Sequence, residues 1–543
     1  MTDARILERV MLAFEGERVP RGVERRLAAA PVAGATLFMA FNVGDPGQVR
    51  ELTAGFQRAG EAGARKRGRA VDGPLLVAAD QEAGQLMALG EATTAFAGNM
   101  ALGAVGDEDL AERVGAAIGR EARAMGVNIV YAPVLDLAIE PGNAALGIRS
   151  FGDDPAAVGR LGAAMVRGLQ SAGVAATVKH FPGLGAVDQD THHALAVVRG
   201  DRATLESHEL SPFRAAIAAG ARLAMSAHVA VPALSGDPTL PATLSRAVMT
   251  GTLRDELGFG GVSISDAFDM RALAQGATQA VEVIAAIRAG DDLLLTTADQ
   301  TARRRIEATL VAAAARHLFE PADLDASSAR LAELRGWLAG AGPPPDPDVV
   351  GSAAHTAISR ELAERALTRT DRAPDGGAPA PIALPPSTRI LAVMPEPADL
   401  TPADTSSTVA PGLGRALRTR FGAVEEVVIP GSPSDDEIAG LRMRAGSFDA
   451  VVIGTIEAHR RPAQAALVRA IAASGATTIA VALRTPWDAA TYPAAVPAIC
   501  TYSILRDSLE ALARALAGEI GFPGRLPVAV ALAGPVAPAA ATR

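Results

Sequence analysis

The 543-residue sequence has little of three residue classes, and each shortage excludes a kind of protein. Cys500 is the only cysteine, so the chain cannot form an intramolecular disulfide. Aromatic residues make up 3%, too few for the stacking platforms of a processive polysaccharide enzyme. Two of the 51 basic residues are lysines, Lys66 and Lys179, and the formal charge of −9 provides no basic surface for nucleic acid or an anionic membrane.

Long apolar runs are also missing. No segment reaches the roughly 18 uninterrupted apolar residues of a membrane span. Glu15, Glu17 and Arg18 interrupt the N-terminal apolar stretch before the core of a signal peptide could form. We therefore expect no membrane span and a cytoplasmic location, while the sequence gives no indication of oligomeric state.

The chain is too long for one hydrophobic core, since single cores stop growing at about 250–300 residues. Between residues 34 and 296, short apolar runs alternate with Ala-, Leu- and Arg-rich stretches of helical periodicity, a pattern typical of βα units around a parallel sheet. The predicted strands are 34–41, 74–80, 127–133, 176–181, 222–228, 261–266 and 291–297.

A second alternation of apolar runs and helical stretches follows a Pro- and Gly-rich segment at 373–388, which has the composition of a linker. We predict an α/β protein with three parts. Residues 1–302 form a (β/α)8 TIM-type barrel, residues 303–388 a helical connector and linker, and residues 389–543 a three-layer α/β/α sandwich.

Polar side chains end five of the predicted barrel strands, and the C-terminal strand ends of such a barrel meet on one face. They are Asp80, the segment with Asp136, Lys179 with His180, His228, and Asp266. The loop after Lys179 also holds Asp190 and His192, two residues apart. The carboxylate can accept a ring N–H, so this dyad suits proton transfer near neutral pH. We predict the active site on this face.

These residues resemble the N-acetylhexosaminidase branch of glycoside hydrolase family 3, which carries K-H-F-P-G-H-G followed by a D-S-H loop. Lys179, His180, Asp190 and His192 match that pattern. Five further segments between residues 34 and 296 are similar to family motifs, in the same order along the chain. Residues Asp80 to Gly84 resemble D-Q-E-G-G, Asn128 to Asp136 resemble N-x-x-x-A-P-V-x-D, Arg149 to Gly152 resemble R-S-F-G, Met225 to His228 resemble M-x-A-H, and Ser265 to Met270 resemble S-D-D-L-x-M. Residues 483–488 (LRTPWD) resemble the family's second domain.

The resemblance implies a retaining, exo-acting β-glycosidase that hydrolyses terminal β-N-acetylglucosaminides without a cofactor or metal. Its substrate would be a small β-glycoside or a peptidoglycan-derived amino sugar, as in cell-wall recycling. Asp266 would be the nucleophile, and His192, oriented by Asp190, the acid/base. The residues implied to bind the sugar are Asp80, Arg149, Lys179, His180 and His228. Glu82 is interpreted as a buried, paired carboxylate that holds the neighbouring loop.

Several positions depart from the family pattern. Leu184 and Ala186 stand where histidine and aspartate are usual, and Gln85 and Ala88 replace two arginines after D-Q-E. We expect both arginine positions to lie at the mouth of the pocket, so their loss would weaken binding of N-acetylglucosaminides.

Five alternatives remain at this point. Sugar specificity could have shifted, or phosphate could replace water as the acceptor. Asp266 could merely cap a helix. His180, Asp190, His192 and His193 could bind a metal, although their spacing fits no zinc motif. Finally, the chain could be a sugar-binding protein without turnover.

Overall fold

The computed structural model describes residues 4–70, 73–187, 190–191, 193–371 and 379–532. A closed barrel is followed by a connecting pair of helices and a second α/β domain. No helix in the described part is both long and apolar enough to cross a membrane.

Eight parallel strands close the barrel in the order β1-β2-β3-β6-β7-β9-β11-β12, with β12 returning to β1. The other four strands of this half pair outside it, β4 with β5 and β8 with β10. The strands are β1 (Val10–Leu12), β2 (Gly34–Leu37), β3 (Leu76–Ala79), β4 (Gln81–Ala83), β5 (Leu86–Met87), β6 (Ile129–Val130), β7 (Ala175–Phe181), β8 (Ala196–Val197), β9 (Leu223–Ser226), β10 (Val229–Ala230), β11 (Val262–Ala267) and β12 (Leu293–Leu295).

The prediction of a TIM-type barrel is confirmed, with two local corrections. The first barrel strand, Val10–Leu12, was not predicted, because three residues are too few to show a period. The strand predicted for 34–41 ends at Leu37. There the side chain of Asn42 accepts a hydrogen bond from the Phe38 N–H and donates one to the Phe14 carbonyl, which stabilises a helical turn instead.

Helices follow the barrel strands, and aspartate begins several of them. The carboxylates of Asp45, Asp107, Asp154 and Asp299 accept N–H groups in the first turns of α3, α5, α6 and α11. A π-helix spans Ala247–Glu256. The α-helices are α1 (Arg21–Ala29), α2 (Met39–Asn42), α3 (Pro46–Lys66), α4 (Asn99–Val105), α5 (Glu108–Ala124), α6 (Pro155–Ser171), α7 (Arg202–Ser207), α8 (Leu210–Ala218), α9 (Pro232–Ser235), α10 (Gln279–Ala289), α11 (Gln300–Ala315), α12 (Pro321–Ala339) and α13 (Ala353–Ala366).

Helix α12 closes the interior of the barrel at one end. Leu331, Leu334 and Leu338 on this helix pack in the same cluster as the inward-facing strand residues, among them Met11 and Ile264. The connector thus contributes to the barrel core as well as leading to the next domain.

The second domain is built on a six-stranded sheet in the order β13-β18-β17-β16-β14-β15, in which only β13 runs antiparallel to its neighbour. Alternate residues of β14 enter two separate cores, Ile390 and Ala392 in one and Leu391 and Val393 in the other, so helices cover both faces. The elements are β13 (Thr368–Arg369), β14 (Arg389–Pro395), α14 (Leu413–Leu417), β15 (Ala423–Ile429), α15 (Asp435–Ala445), β16 (Ala450–Thr455), α16 (Pro462–Ala472), β17 (Thr477–Ala482), β18 (Ala498–Cys500) and α17 (Arg506–Leu516).

Candidate active site

A network of four charges, three of them buried, lies at the C-terminal end of the barrel. The Lys179 ammonium donates to Asp80 Oδ1 at 2.6 Å and contacts Glu82 Oε1 at 2.5 Å. Arg149 donates to both oxygens of Glu82, each at 2.8 Å. Asp80, with 23% of its side chain exposed, is the member that reaches solvent. The interpretation of Glu82 as a buried, paired carboxylate is confirmed.

The charges in this network hold one another in their ionised forms. Burial alone would raise the pKa of Glu82, but Arg149 and Lys179 outweigh it and lower that pKa to about 2. Burial likewise opposes the charge of Lys179, and Asp80 and Glu82 overcome it, so the pKa of the ammonium rises. A bidentate guanidinium and an ammonium therefore share one carboxylate in a rigid array.

His180 is fixed by Asp136, the carboxylate that the sequence placed after strand β6. Asp136 Oδ2 lies 2.7 Å from His180 Nδ1, and both oxygens accept the His180 backbone N–H at 3.2 Å. Asp136 Oδ1 also accepts the N–H of Leu184 at 2.8 Å. One buried carboxylate thus orients the imidazole and anchors the start of the loop that continues towards Asp190.

Asp266 ends strand β11 with a partly exposed carboxylate, and its Oδ1 accepts the Ala267 N–H at 2.8 Å. His228 is buried completely and does not line the cleft around Asp266. Its Nε2 lies 3.2 Å from the Ala267 carbonyl oxygen, and its Nδ1 lies 2.9 Å from Thr243 Oγ1. His228 therefore holds the residue that follows Asp266, instead of facing the sugar as the sequence predicted.

A cleft brings four of the eight predicted site residues together. Its lining includes Asp266, Arg149 and His180, and Asp190 with Thr191 borders it from the loop after β7. His192, the predicted acid/base, lies outside the described residues, whereas His193 is exposed. Lys179 connects the partly exposed Asp80 to Glu82 and, through Glu82, to Arg149 at the cleft.

The expectation for Gln85 and Ala88 was wrong. Gln85 is 3% exposed and hydrogen-bonds to the second domain, and Ala88 is 6% exposed and packs in the barrel core. Neither lines the cleft. Gln85 lies at the turn of the β4–β5 hairpin and Ala88 follows β5. Both are buried, so neither is exposed at the mouth of the pocket as the sequence predicted.

Tyr131 is a residue near the site that the sequence gave no reason to select. Its ring is buried in the barrel interior, and its hydroxyl lies 2.9 Å from Thr36 Oγ1. Burial raises the pKa of the phenol, and the charges of Asp80 and Asp266 raise it further. Tyr131 thus places a neutral hydroxyl near the carboxylates of Asp80 and Asp266. The residue belongs to the segment that resembles N-x-x-x-A-P-V-x-D.

Residues 2–334 match the model of the glycosyl hydrolase family 3 N-terminal domain. The chain belongs to glycosyl hydrolase family 3. Over 372 residues it is 32% identical to beta-hexosaminidase A of Pseudoalteromonas piscicida, and over 237 residues 38% identical to a beta-N-acetylglucosaminidase/beta-glucosidase of Cellulomonas fimi. These matches cover 64% and 41% of this chain and 61% and 41% of the two relatives, so they span less than two thirds of either.

A solved family 3 structure is similar over nearly the whole chain. The beta-N-acetylglucosaminidase from Paenibacillus sp. str. FPU-7 superimposes with a TM-score of 0.90 at 32% identity, covering 98% of this chain and 99% of the other. The likeness includes both the barrel and the second domain.

Proposed function

We propose that this family 3 protein is a retaining, exo-acting β-glycosidase that hydrolyses terminal β-N-acetylglucosaminides. The observation that carries the proposal is the cleft at the C-terminal end of the barrel, where Asp266 and Asp190 border the same space as Arg149 and His180. The names of the similar proteins support the choice of sugar.

In the first step, the Asp266 carboxylate attacks the anomeric carbon, and the bond to the leaving oxygen breaks as His192 donates a proton to it. The product is a covalent glycosyl-enzyme. In the second step, His192 removes a proton from water, and the water oxygen displaces Asp266 from the anomeric carbon. Asp190 accepts the other ring N–H of His192 and so keeps the imidazole in the required tautomer.

The charge network prepares the pocket for sugar hydroxyls. Because Glu82 and Asp136 hold Arg149, Lys179 and His180 in place before substrate arrives, little ordering is left to occur on binding. Asp80, the exposed member of the network, accepts hydrogen bonds from hydroxyls. The substrate we propose is the terminal sugar of a small glycoside or of a peptidoglycan-derived fragment.

The direct test is turnover of para-nitrophenyl β-glycosides carrying N-acetylglucosamine, glucose or xylose, with and without phosphate. We expect the N-acetylglucosaminide to have the highest kcat/KM and free N-acetylglucosamine to be the product in both buffers. A preference for another sugar, or a sugar phosphate as product, would contradict the proposal.

The role of His192 is tested by comparing leaving groups. His192→Ala should slow substrates with poor leaving groups much more than activated phenyl glycosides, because good leaving groups need little protonation. Asp190→Ala should give a milder form of the same pattern. An equal loss on both substrate types would show that His192 is not the acid.

A further inference from the structure

The second domain contacts the barrel beside the active site through the loop around Thr405. The Thr405 N–H and hydroxyl approach the Gln85 carbonyl oxygen at 2.8 and 3.1 Å, and Thr405 Oγ1 accepts the Met87 N–H at 3.2 Å. These bonds hold the turn of the β4–β5 hairpin in place, and Glu82 lies in the same hairpin. We refer to them as the hairpin contact.

Arg484 holds Thr405 in place from within the second domain. Its guanidinium, 3% exposed, donates to Asp404 Oδ2 at 2.8 Å and also contacts the Ser406 hydroxyl. Asp404 in turn accepts the N–H groups of Leu400 and Ser406. The residues on both sides of Thr405 are therefore fixed, so the hairpin contact rests on a preorganised loop.

A second contact reaches the loop between Asp136 and Arg149. His459 Nε2 lies 3.1 Å from the Pro141 carbonyl oxygen, and His459 Nδ1 lies 2.7 Å from Asp488 Oδ1. Two residues beyond Pro141, the Asn143 amide donates to the Leu184 carbonyl at 3.0 Å. We refer to the bond from His459 to Pro141 as the loop contact.

The two contacts each support one member of the same ion pair. The hairpin contact holds the element with Glu82, the loop contact holds the element with Arg149, and these two side chains form the bidentate ion pair of the active site. Both contacts originate in the segment 483–488, through Arg484 and Asp488. The side chain of Gln85 also packs near Gly147, so the hairpin and the loop abut each other.

We propose that the second domain positions the sugar-binding end of the barrel, with Thr405 and His459 as its positioning residues. The inference rests on the proposed function of the cleft. Without the two contacts, the hairpin and the loop would sample more conformations, and the Glu82–Arg149 pair would be less well preorganised for substrate.

The test is a double variant, Thr405→Val with His459→Asn. Valine keeps the shape of threonine without its hydroxyl. The asparagine amide can replace His459 Nδ1 towards Asp488 but is too short to reach Pro141, so the second domain keeps its own bond. The double variant removes three side-chain hydrogen bonds, two of the Thr405 hydroxyl and one of His459, and keeps the bond from the Thr405 N–H to Gln85. We expect KM for the best wild-type substrate to rise about tenfold, a fraction of the combined value of these bonds, with kcat less affected. Thr405→Ser with native His459 should restore wild-type kinetics.

A matched control separates positioning from general stability. Tyr502→Phe removes a buried hydrogen bond of 2.9 Å to Thr368 in the second domain, away from both contacts. It should lower the thermal midpoint without changing KM. If Tyr502→Phe raised KM as much as the double variant at an equal loss of midpoint, the contacts would be merely structural and the proposal would be overturned.

Hydrogen exchange provides a readout that does not depend on turnover. In the double variant, amides of residues 81–90 and 138–149 should exchange faster, while the rest of the barrel keeps its wild-type rates. Unchanged exchange in those peptides would overturn the positioning role even in an active enzyme. Faster exchange in a protein that hydrolyses no N-acetylglucosaminide would instead count against the proposed function alone.

Discussion

The two ends of the barrel both contain buried ion networks, and a cavity borders each of them, but only the cleft at the C-terminal end also contains Asp266, Asp190 and His180. At the lower end, which α12 closes, Asp292 is 0% exposed and accepts from Arg254 at 2.8 Å and Arg330 at 2.6 Å. At the upper end, the network of Lys179, Glu82 and Arg149 continues to Asp80, which stays partly exposed. A similar ion network thus attaches helix α12 to the barrel at one end and positions the side chains of a binding surface at the other.

The comparison predicts which changes affect activity and which affect stability. Charges whose hydrogen bonds are all internal should matter for folding, because removing one partner leaves the other buried and uncompensated. Charged side chains that border the cleft around Asp266 should matter for turnover. Four substitutions or conditions test this division, beginning with the largest expected effect.

Asp266→Asn should abolish measurable turnover, a loss of several orders of magnitude, while the thermal midpoint stays near that of the wild type. The amide cannot attack the anomeric carbon but can still accept the Ala267 N–H. Steady-state kinetics and a thermal melt check both parts. A wild-type rate would remove Asp266 from the mechanism, and a large loss of stability would give it a structural role instead.

Asp292→Asn should show the opposite pattern. Loss of this charge leaves Arg254 and Arg330, which are 12% and 20% exposed, without their shared carboxylate, at a cost of up to about 3–5 kcal/mol to the folded state. The thermal midpoint should fall clearly, whereas kcat/KM of the folded fraction should remain within about twofold, because Asp292 lies at the far end of the barrel. A selective loss of kcat/KM would break the distinction between the two ends.

Glu82→Gln should affect both properties. Arg149 and Lys179 lose their shared carboxylate, so kcat/KM should fall about 10- to 100-fold, the value of one to two charged hydrogen bonds. The lowered pKa of Glu82 means that its carboxylate stabilises the fold above its ordinary pKa of 4.5, and that this stability is lost as the pH falls towards about 2. The variant should therefore lose less stability than the wild type on acidification, as followed by thermal melts.

The smallest effect concerns His459 and pH. Burial alone would lower the pKa of this imidazole, but Asp488, the Pro141 carbonyl and Glu457 together raise it above 6.5. The imidazolium donates from both ring nitrogens and so stabilises the loop contact below pH 6.5, and this contribution is lost as the pH rises through the raised pKa. The difference in thermal midpoint between wild type and His459→Asn should therefore shrink as the pH rises. A difference that grows with pH would contradict the predicted direction of this pH dependence.

The sequence predicted the barrel and its second α/β domain because most strands are apolar runs bounded by polar ends. It failed at Val10–Leu12, a strand too short for periodicity, and at Leu37, where the side chain of Asn42 stabilises a turn that propensity does not reveal. The pairing of Glu82 was predicted correctly. Its partners were not predicted, because Lys179 lies 97 positions and Arg149 lies 67 positions away from Glu82 in the chain.

The error at Gln85 and the undetected contact of His459 share one physical cause. Both residues contact the other domain, and interdomain packing leaves no local pattern in the sequence. Gln85 was assigned to the mouth of the pocket because the family pattern has an arginine at this position beside Asp80, yet its side chain is buried against the second domain. The resemblance of residues 483–488 to the family's second domain was the only available signal for these contacts.

The central claim is that Asp266 forms a covalent bond with the sugar. A mechanism-based fluorosugar related to N-acetylglucosamine should inactivate the enzyme and add its mass once per chain, and peptide mapping should locate it on Asp266 within residues 262–267. Asp266→Asn should remain unlabelled under the same conditions. A label on any other residue, or a label on Asp266→Asn, would contradict the account.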